Sequence, residues 1–262
     1  MKVFLTGASS GLGVALARAY AASAPPGSLT LGLLARRREA LDEVAKAIRE
    51  TFGQTVACYS GDVRNFADLQ QAAGDFISEF GPPDVVIANA GVSRGTMTEF
   101  AEDVPAFAAV FETNVMGMVH TFQPFLVAMR ARKHGTMVGI ASVAGIRGLP
   151  GSGAYSASKA AAISYLESLR VEERAHGLSV VTLCPGYVAT NMTAKNPYRM
   201  PFLLQPDDAA RRMLRVIGAK RKFAVVPWQM GIVACVLKFL PRWIYDRAFA
   251  NVKRKPRSGS AT

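Results

Sequence analysis

The sequence predicts one doubly wound α/β domain, a parallel sheet with helices on both faces, followed by a helical C-terminal appendage. Three observations predict it. Short apolar stretches without polar interruption alternate with helix-length segments, the pattern of strands buried on both faces. A glycine-rich turn joins the first such strand to the first helix. The 262 residues are half apolar and 19% charged, enough for a sizeable core and too apolar for disorder.

Taken in order, residues 2–5 form a short apolar strand, residues 7–13 the glycine-rich turn, and residues 14–24 a helix closed by Pro25-Pro26-Gly27. Residues 29–34 are a second strand. Residues 39–51 carry Leu41, Val44, Ala45 and Ile48 at helical spacing. A strand at 55–59, a helix at 67–80 and a buried strand at 84–88 follow. Residues 105–131 read as one long helix that Pro124 should bend. Next come a strand at 136–140 and a helix at 155–176, stopped by Gly177 with His176 suited to its C-terminal end. A strand at 179–183, a helix at 206–217 and a last strand at 223–226 complete the domain. The expected division is a catalytic domain over 1–226 and a basic, apolar appendage over 227–262, its two helices broken at Pro241.

Several classes are excluded. Cys58, Cys184 and Cys235 are far apart and odd in number, which argues against a disulfide framework or a cysteine zinc site and for a reducing compartment. No metal ligands are expected. The N-terminal apolar stretch breaks at Thr6-Gly7, too early for an export signal. The longest uncharged apolar stretch, residues 223–237, contains Pro227 and is too short to span a bilayer. The net charge of +12 is not spread evenly: residues 1–210 hold 18 Lys/Arg against 18 Asp/Glu, while residues 211–257 hold 13 against Asp246 alone.

Thr6-Gly7-Ala8-Ser9-Ser10-Gly11-Leu12-Gly13 has the composition of a phosphate turn. Its glycines allow a tight backbone and close approach of a pyrophosphate, and the helix beyond supplies free N–H groups and a positive dipole end. The spacing departs from G-x-G-x-x-G, and the absence of any Gly-Lys pair excludes a Walker A loop. Two stretches, residues 7–11 and 91–95, also match the hydrolase elbow G-x-S-x-G. The first lies on the first strand, with no earlier loop to supply an oxyanion donor. The second lacks a clear following helix, and His120, His134 and His176 stand at bland positions, so a hydrolase is set aside.

Tyr155 and Lys159 are four apart at a helix start and so share one face. A nearby ammonium favours phenolate and makes a phenol a usable acid or base. Ser142, 13 residues upstream at a strand end, can hydrogen-bond a substrate oxygen at the same point. With these pieces in order, the chain resembles a compact short-chain dehydrogenase/reductase over about residues 2–226, with a Rossmann-like fold. The family's T-G-x-x-x-G-x-G is matched by Thr6 to Gly13, its adenine-side acid by Asp62 with Val63, and its N-A-G by Asn89-Ala90-Gly91. Its active-site asparagine, serine and Y-x-x-x-K are matched by Asn114, Ser142, Tyr155 and Lys159. Its Pro-Gly is Pro185-Gly186, followed by Val188 and by Thr190 at the carboxamide of nicotinamide.

The resemblance implies that Tyr155 exchanges a proton with a carbonyl or alcohol oxygen and that Ser142 orients that oxygen. It implies that Lys159 lowers the Tyr155 pKa and bonds the nicotinamide ribose, and that Asn114 holds a water leading to Lys159. It also implies a turn, from Gly7 through Ser9, Ser10, Gly11 and Leu12 to Gly13, that cradles the cofactor. An acid at the end of the second strand would suit NAD. Here Ala35 and then Arg36, Arg37 and Arg38 stand there, and a guanidinium suits a 2′-phosphate, so NADP(H) is expected with Arg36 as first contact. Expected pocket walls are Ile146, Leu149, Val92, Met97 and the apolar loop 192–204, with Arg94, Arg147 and Lys195 as the few charges, which favours a lipophilic carbonyl or secondary alcohol. The tail leaves three partners open: an anionic membrane surface, its own domain or a second subunit, and nucleic acid or an acidic carrier, the last disfavoured by its apolar content. The expectation is a cytoplasmic homo-oligomer, peripheral to the inner face of a membrane if the tail is an anchor rather than a lid or a subunit contact. The competing reading is a membrane-surface or interaction protein that keeps a cofactor fold without turnover.

Overall fold

Residues that are buried on both sides build the strands, and the helices bury one stripe each. The computed structural model describes residues 1–194 and 196–257. In chain order the elements are β1 (Lys2–Thr6), α1 (Gly11–Ala22), β2 (Thr30–Ala35), α2 (Arg38–Phe52), β3 (Thr55–Ser60), α3 (Phe66–Phe80) and β4 (Val85–Ala88). Then come α4 (Val104–Phe111), α5 (Gly117–Arg132), β5 (Thr136–Ile140), α6 (Gly153–Glu172), β6 (Ser179–Pro185), α7 (Pro206–Gly218), β7 (Phe223–Val226), α8 (Trp228–Phe239) and α9 (Arg242–Phe249). The strands form one seven-stranded sheet in the order β3-β2-β1-β4-β5-β6-β7, and every pair is parallel.

Alternate residues of each strand serve opposite layers, as the period of two requires. Val3 and Leu5 face the layer of α1, α2 and α7, with Leu16, Leu41, Ile48 and Met213, while Phe4 faces Phe76, Phe122, Phe125 and Leu166 of α3, α5 and α6. Gly32 on β2 makes room for the aromatic cluster, since a Cβ there would stand 2.7 Å from both Phe4 and Phe76. The chain runs outward from β1 to β3 and then returns beside β1 as β4, so the winding reverses between β1 and β4. Doubly wound sheets open a crevice at the C-terminal strand ends at such a reversal.

The long helix expected over residues 105–131 is interrupted. It comprises α4, a π-helical stretch at Glu112–Met116, and α5, with Pro124 inside the unbroken α5. The break falls where Asn114 must turn inward rather than at the proline. The tail forms two helices that meet at Pro241, as its sequence suggested.

Candidate active site

A cleft of about 370 Å³ opens across the C-terminal ends of the central strands. One end is built by the turn after β1. Gly7 has a φ of +69°, and a Cβ there would stand 2.8 Å from the Cα of Ala90; a Cβ on Gly13 would stand 2.1 Å from the Gly7 carbonyl oxygen. Only glycine fits either position. Thr6, fully buried, ties this turn to the neighbouring strand: its hydroxyl accepts from the backbone N–H groups of Asn89 (3.3 Å) and Ala90 (3.4 Å). Asn89 returns the contact, donating from Nδ2 to the carbonyls of Thr6 (3.1 Å) and Gly7 (3.3 Å). Ser10, the N-cap of α1, makes no side-chain bond to the helix, so no side chain caps the α1 start that lines the cleft. Such a helix start suits an anion.

Beyond that turn the walls are charged. Arg36 and Arg37 are exposed and line the cleft, and Arg37 reaches the Ser9 carbonyl at 3.4 Å. Arg38 is engaged elsewhere, in an ion pair with Asp42 at 2.8 Å. Asp62 pairs with Arg64 at 2.7 Å, and the Arg64 guanidinium holds its carboxyl below the usual range. This donor set, a bare helix start with two guanidinium groups at the end of β2, fits a phosphorylated dinucleotide.

The other end of the cleft gathers Ser142, Tyr155 and Lys159. Ser142 follows β5 and caps a short 3₁₀ turn, its hydroxyl accepting from Ala144 N–H at 3.1 Å. That turn presses on α6: a Cβ on Gly145 would stand 2.6 Å from the carbonyl carbon of Lys159. Tyr155 lies in the first turn of α6 and Lys159 one turn later, with Nζ 5.9 Å from the Tyr155 ring centre. Lys159 is buried and donates to the Ile140 carbonyl at 2.7 Å. Burial lowers its pKa from 10.5 to about 8. Burial pushes the Tyr155 phenol up from its ordinary value, and a hydrogen bond with Ser142 pulls the other way. The expected downward pull of Lys159 is therefore not the dominant influence on this phenol. Beside them the Cys184 thiol is raised to about 12 by burial, so it stays protonated at neutral pH.

Every residue expected at the cofactor lines this cleft: Gly7, Ser9 to Gly13, Arg36, Arg37, Asp62, Val63, Asn89, Ala90, Gly91, Tyr155, Lys159, Pro185, Gly186, Val188 and Thr190. Asn114 does not. It is buried behind the cleft, with Oδ1 accepting from Val92 N–H (2.8 Å) and Nδ2 donating to the Val92 carbonyl and the Ser158 hydroxyl (2.9 Å each). Both amide N–H groups are spent on protein atoms, so its observed work is to hold the Val92 loop against α6. Gly61, Thr113 and Asn191 also line the cleft and carried no signal in the sequence. They reach it through tertiary approach and belong to no spacing motif.

Among the expected pocket walls, Val92 and Met192 line the cleft. Arg147 does not serve as a wall charge. Its guanidinium donates to the carbonyls of Leu237 and Leu240 (2.6 Å each) and lies 4.2 Å from the Tyr245 ring centre, tying the end of α8 and α9 to the domain. Tyr245 in turn donates to the Gly148 carbonyl. Arg94 is exposed, and Lys195 lies outside the described residues. The inner side of α8 places Met230 and Ala234 against Val143, Ile146 and Tyr187. Of the elbow serines and histidines, His120 is occupied by the Val63 carbonyl at 2.9 Å and Ser93 accepts from Lys255 at 2.8 Å. Among the described residues no cluster of metal-ligating side chains occurs.

The chain and its fold are similar to known proteins. Residues 1–200 match the family model described as short chain dehydrogenase. An uncharacterised oxidoreductase of Myxococcus xanthus is 36% identical over 95% of this chain and 96% of its own length. Dehydrogenase/reductase SDR family member 7B of Bos taurus is 32% identical over 97% of this chain and 82% of its own. Among solved structures, a 3-ketoacyl-ACP reductase of Sinorhizobium meliloti superposes with a TM-score of 0.78 at 25% identity, covering 89% of this chain and 100% of that one. An alcohol dehydrogenase of Thermococcus sibiricus, complexed with 5-hydroxy-NADP, does so with a TM-score of 0.76 at 25% identity, covering 86% and 95%.

Proposed function

The chain belongs to the short-chain dehydrogenase/reductase family of oxidoreductases, and from that membership we propose that it is NADP(H)-dependent and interconverts a carbonyl and a secondary alcohol on a lipophilic substrate. The observation that carries the reading is one cleft with Ser142, Tyr155 and Lys159 at one end and an uncapped helix start with Arg36 and Arg37 at the other. Residues 1–226 carry this activity, and residues 227–262, of which 258–262 lie outside the described residues, flank it.

Gly7 to Gly13 hold the pyrophosphate and Arg36, with Arg37, the 2′-phosphate. Asp62 and Val63 flank the adenine, Asn89 to Gly91 the middle of the cleft, and Pro185, Gly186, Val188 and Thr190 the nicotinamide end. When bound, NADP(H) supplies or accepts the hydride. Tyr155 donates its phenolic proton to the substrate oxygen in reduction and recovers it in oxidation. Its buried, protonated state suits the donor role at neutral pH. Ser142 holds the same oxygen with a second hydrogen bond. Lys159, still mostly an ammonium at pH 7 with a pKa of about 8, stabilises the phenolate left behind. Asn114 is a positioning residue, fixing Ser158 next to Lys159 and Val92 across from it.

The partners that go with this reading are a small-molecule carbonyl or alcohol, further copies of the chain, and an anionic membrane surface for the tail. The neighbour complexed with 5-hydroxy-NADP supports the choice of cofactor. A panel of ketones and aldehydes of increasing hydrophobicity, assayed with NADPH and NADH, tests it. NADPH-dependent reduction that improves with hydrophobicity is expected. Turnover confined to sugars or supported equally by NADH overturns the reading.

A further inference from the structure

The appendage divides into two parts that use their charge differently. Its last described stretch folds back on the domain. Arg257 bonds the buried Asp103 carboxylate at 2.8 Å and stacks 3.4 Å over the Phe100 ring, and Lys255 donates to Ser93. Those cations are spent internally. Upstream, α8 and α9 bury Met230, Ala234 and Tyr245 on the side facing the domain. The other side of α8 carries Trp228, Ile232, Val236 and Phe239, which are 67%, 57%, 57% and 74% exposed, and Trp243 on α9 is 71% exposed. The α8 residues recur at i, i+4, i+8 and i+11, so they share one face. Scattered exposed apolar residues need no explanation, but a contiguous stripe of large ones marks an interaction surface. Lys238, Arg242 and Arg247 are exposed beside it, and among the described residues none has a carboxylate within 4.0 Å.

We propose that this outer face of α8 and α9 docks on an anionic lipid surface. Tryptophan and phenylalanine with adjoining cations suit the boundary between headgroups and acyl chains, where apolar burial and attraction to anionic lipid act together. A second copy of the chain is the wrong occupant, because a two-fold contact through this face sets the same unpaired cations against each other. Nucleic acid would satisfy the charge and leave Ile232, Val236 and Phe239 without apolar partners. The surface also bears on the chemistry. Met230, on the inner side of α8, touches Gly186 of the cleft closely enough that a Cβ there would lie 2.7 Å from its Cγ. The bilayer would thus lie one helix away from the substrate end of the cleft. This last step rests on the proposed reduction of a lipophilic carbonyl; the docking itself does not.

Co-sedimentation of the full chain with vesicles tests the proposal. Phosphatidylcholine vesicles are compared with vesicles containing about 30% phosphatidylserine, at low and high salt. Binding is expected only to the anionic vesicles and to weaken with salt. Lys238→Gln, Arg242→Gln and Arg247→Gln should each weaken it by about fivefold. Phe239→Ser combined with Trp243→Ser should remove it, and Arg257→Gln should leave it unchanged. All these positions lie outside the cofactor cleft, so retained cofactor binding reports that each variant is folded. The proposal is overturned if the chain ignores anionic vesicles at low salt, if binding survives Lys238→Gln, Arg242→Gln and Arg247→Gln combined in one variant, or if Arg257→Gln weakens it as much as the single substitutions. It is also overturned if the same substitutions instead abolish a dimer. A chain that binds vesicles but reduces no carbonyl would sink the proposed reaction and leave the docking face standing.

Discussion

Arg36 and Arg37 stand at the cleft while Arg38, their neighbour in sequence, is held by Asp42. The sequence presented three arginines in a row; side-chain partners separate the two that remain available. Arg36→Ala should erase most of the preference for NADPH over NADH. Because Arg36 is exposed, the low end of a charge-assisted bond applies, about 1.5 kcal/mol or roughly tenfold in the ratio of dissociation constants. Unchanged discrimination would remove Arg36 from the 2′-phosphate site. Lys159 gives a second test. Burial lowers its pKa from 10.5 to about 8. Between those values the unfolded chain holds a proton that the folded chain lacks, so this group's contribution to stability rises with pH through that window. Below pH 8 the folded protein bears the full cost of a buried ammonium. Denaturant unfolding as a function of pH should show this rise in the wild type and not in Lys159→Met. Parallel profiles would mean that Lys159 keeps its ordinary pKa.

Most helix boundaries and the glycine turn were legible because they depend on local rules of periodicity, proline and glycine, although the helix expected over 155–176 ends at Glu172 and the chain reaches Gly177 through a 3₁₀ turn. The interruption before α5 was not legible. Pro124 was the signal taken for a bend in that segment, yet the π-helical stretch at Glu112–Met116 ends at Gly117 and arises where Asn114 bonds Val92 and Ser158, contacts remote in sequence. The last part of the tail was left open between its own domain, a second subunit and lipid, and only the fold brings Asp103, Phe100 and Ser93 to meet its cations. Arg257 holds the Asp103 carboxyl below its ordinary value, so this contact is fully present above the unfolded pKa of 3.8 and is lost as pH falls through the lower folded value. Arg257→Gln should raise amide hydrogen exchange in residues 92–103 at neutral pH. The wild type should match it only in strong acid. Equal protection in both proteins at pH 7 would show that the ion pair does not hold this loop.

At the scale of the molecule, the reversal between β1 and β4 explains why distant motifs converge. The turn after β1, the Asn89-Ala90-Gly91 segment after β4, Ser142 after β5 and Pro185-Gly186 at the end of β6 all end at one edge of one parallel sheet. Strand order was not stated by the motifs themselves, but parallel winding leaves the C-terminal edge as the common destination. The uneven charge, neutral to residue 210 and +12 beyond it, has no role in that winding. Six of its thirteen cations, Arg211 to Lys222, lie on α7 and the turn before β7; Lys238, Arg242 and Arg247 lie on the outer face of α8 and α9, and Lys255 and Arg257 make the contacts to Ser93 and Asp103. The proposed function rests above all on Tyr155 as the proton donor of an NADP(H)-dependent reduction. Its most direct test is to measure NADPH binding and steady-state carbonyl reduction side by side for the wild type and Tyr155→Phe. The variant should bind NADPH as tightly as the wild type while kcat falls by about 10²–10⁴, the usual worth of a positioned acid. A Tyr155→Phe enzyme that reduces the same carbonyl at close to the wild-type rate would contradict it.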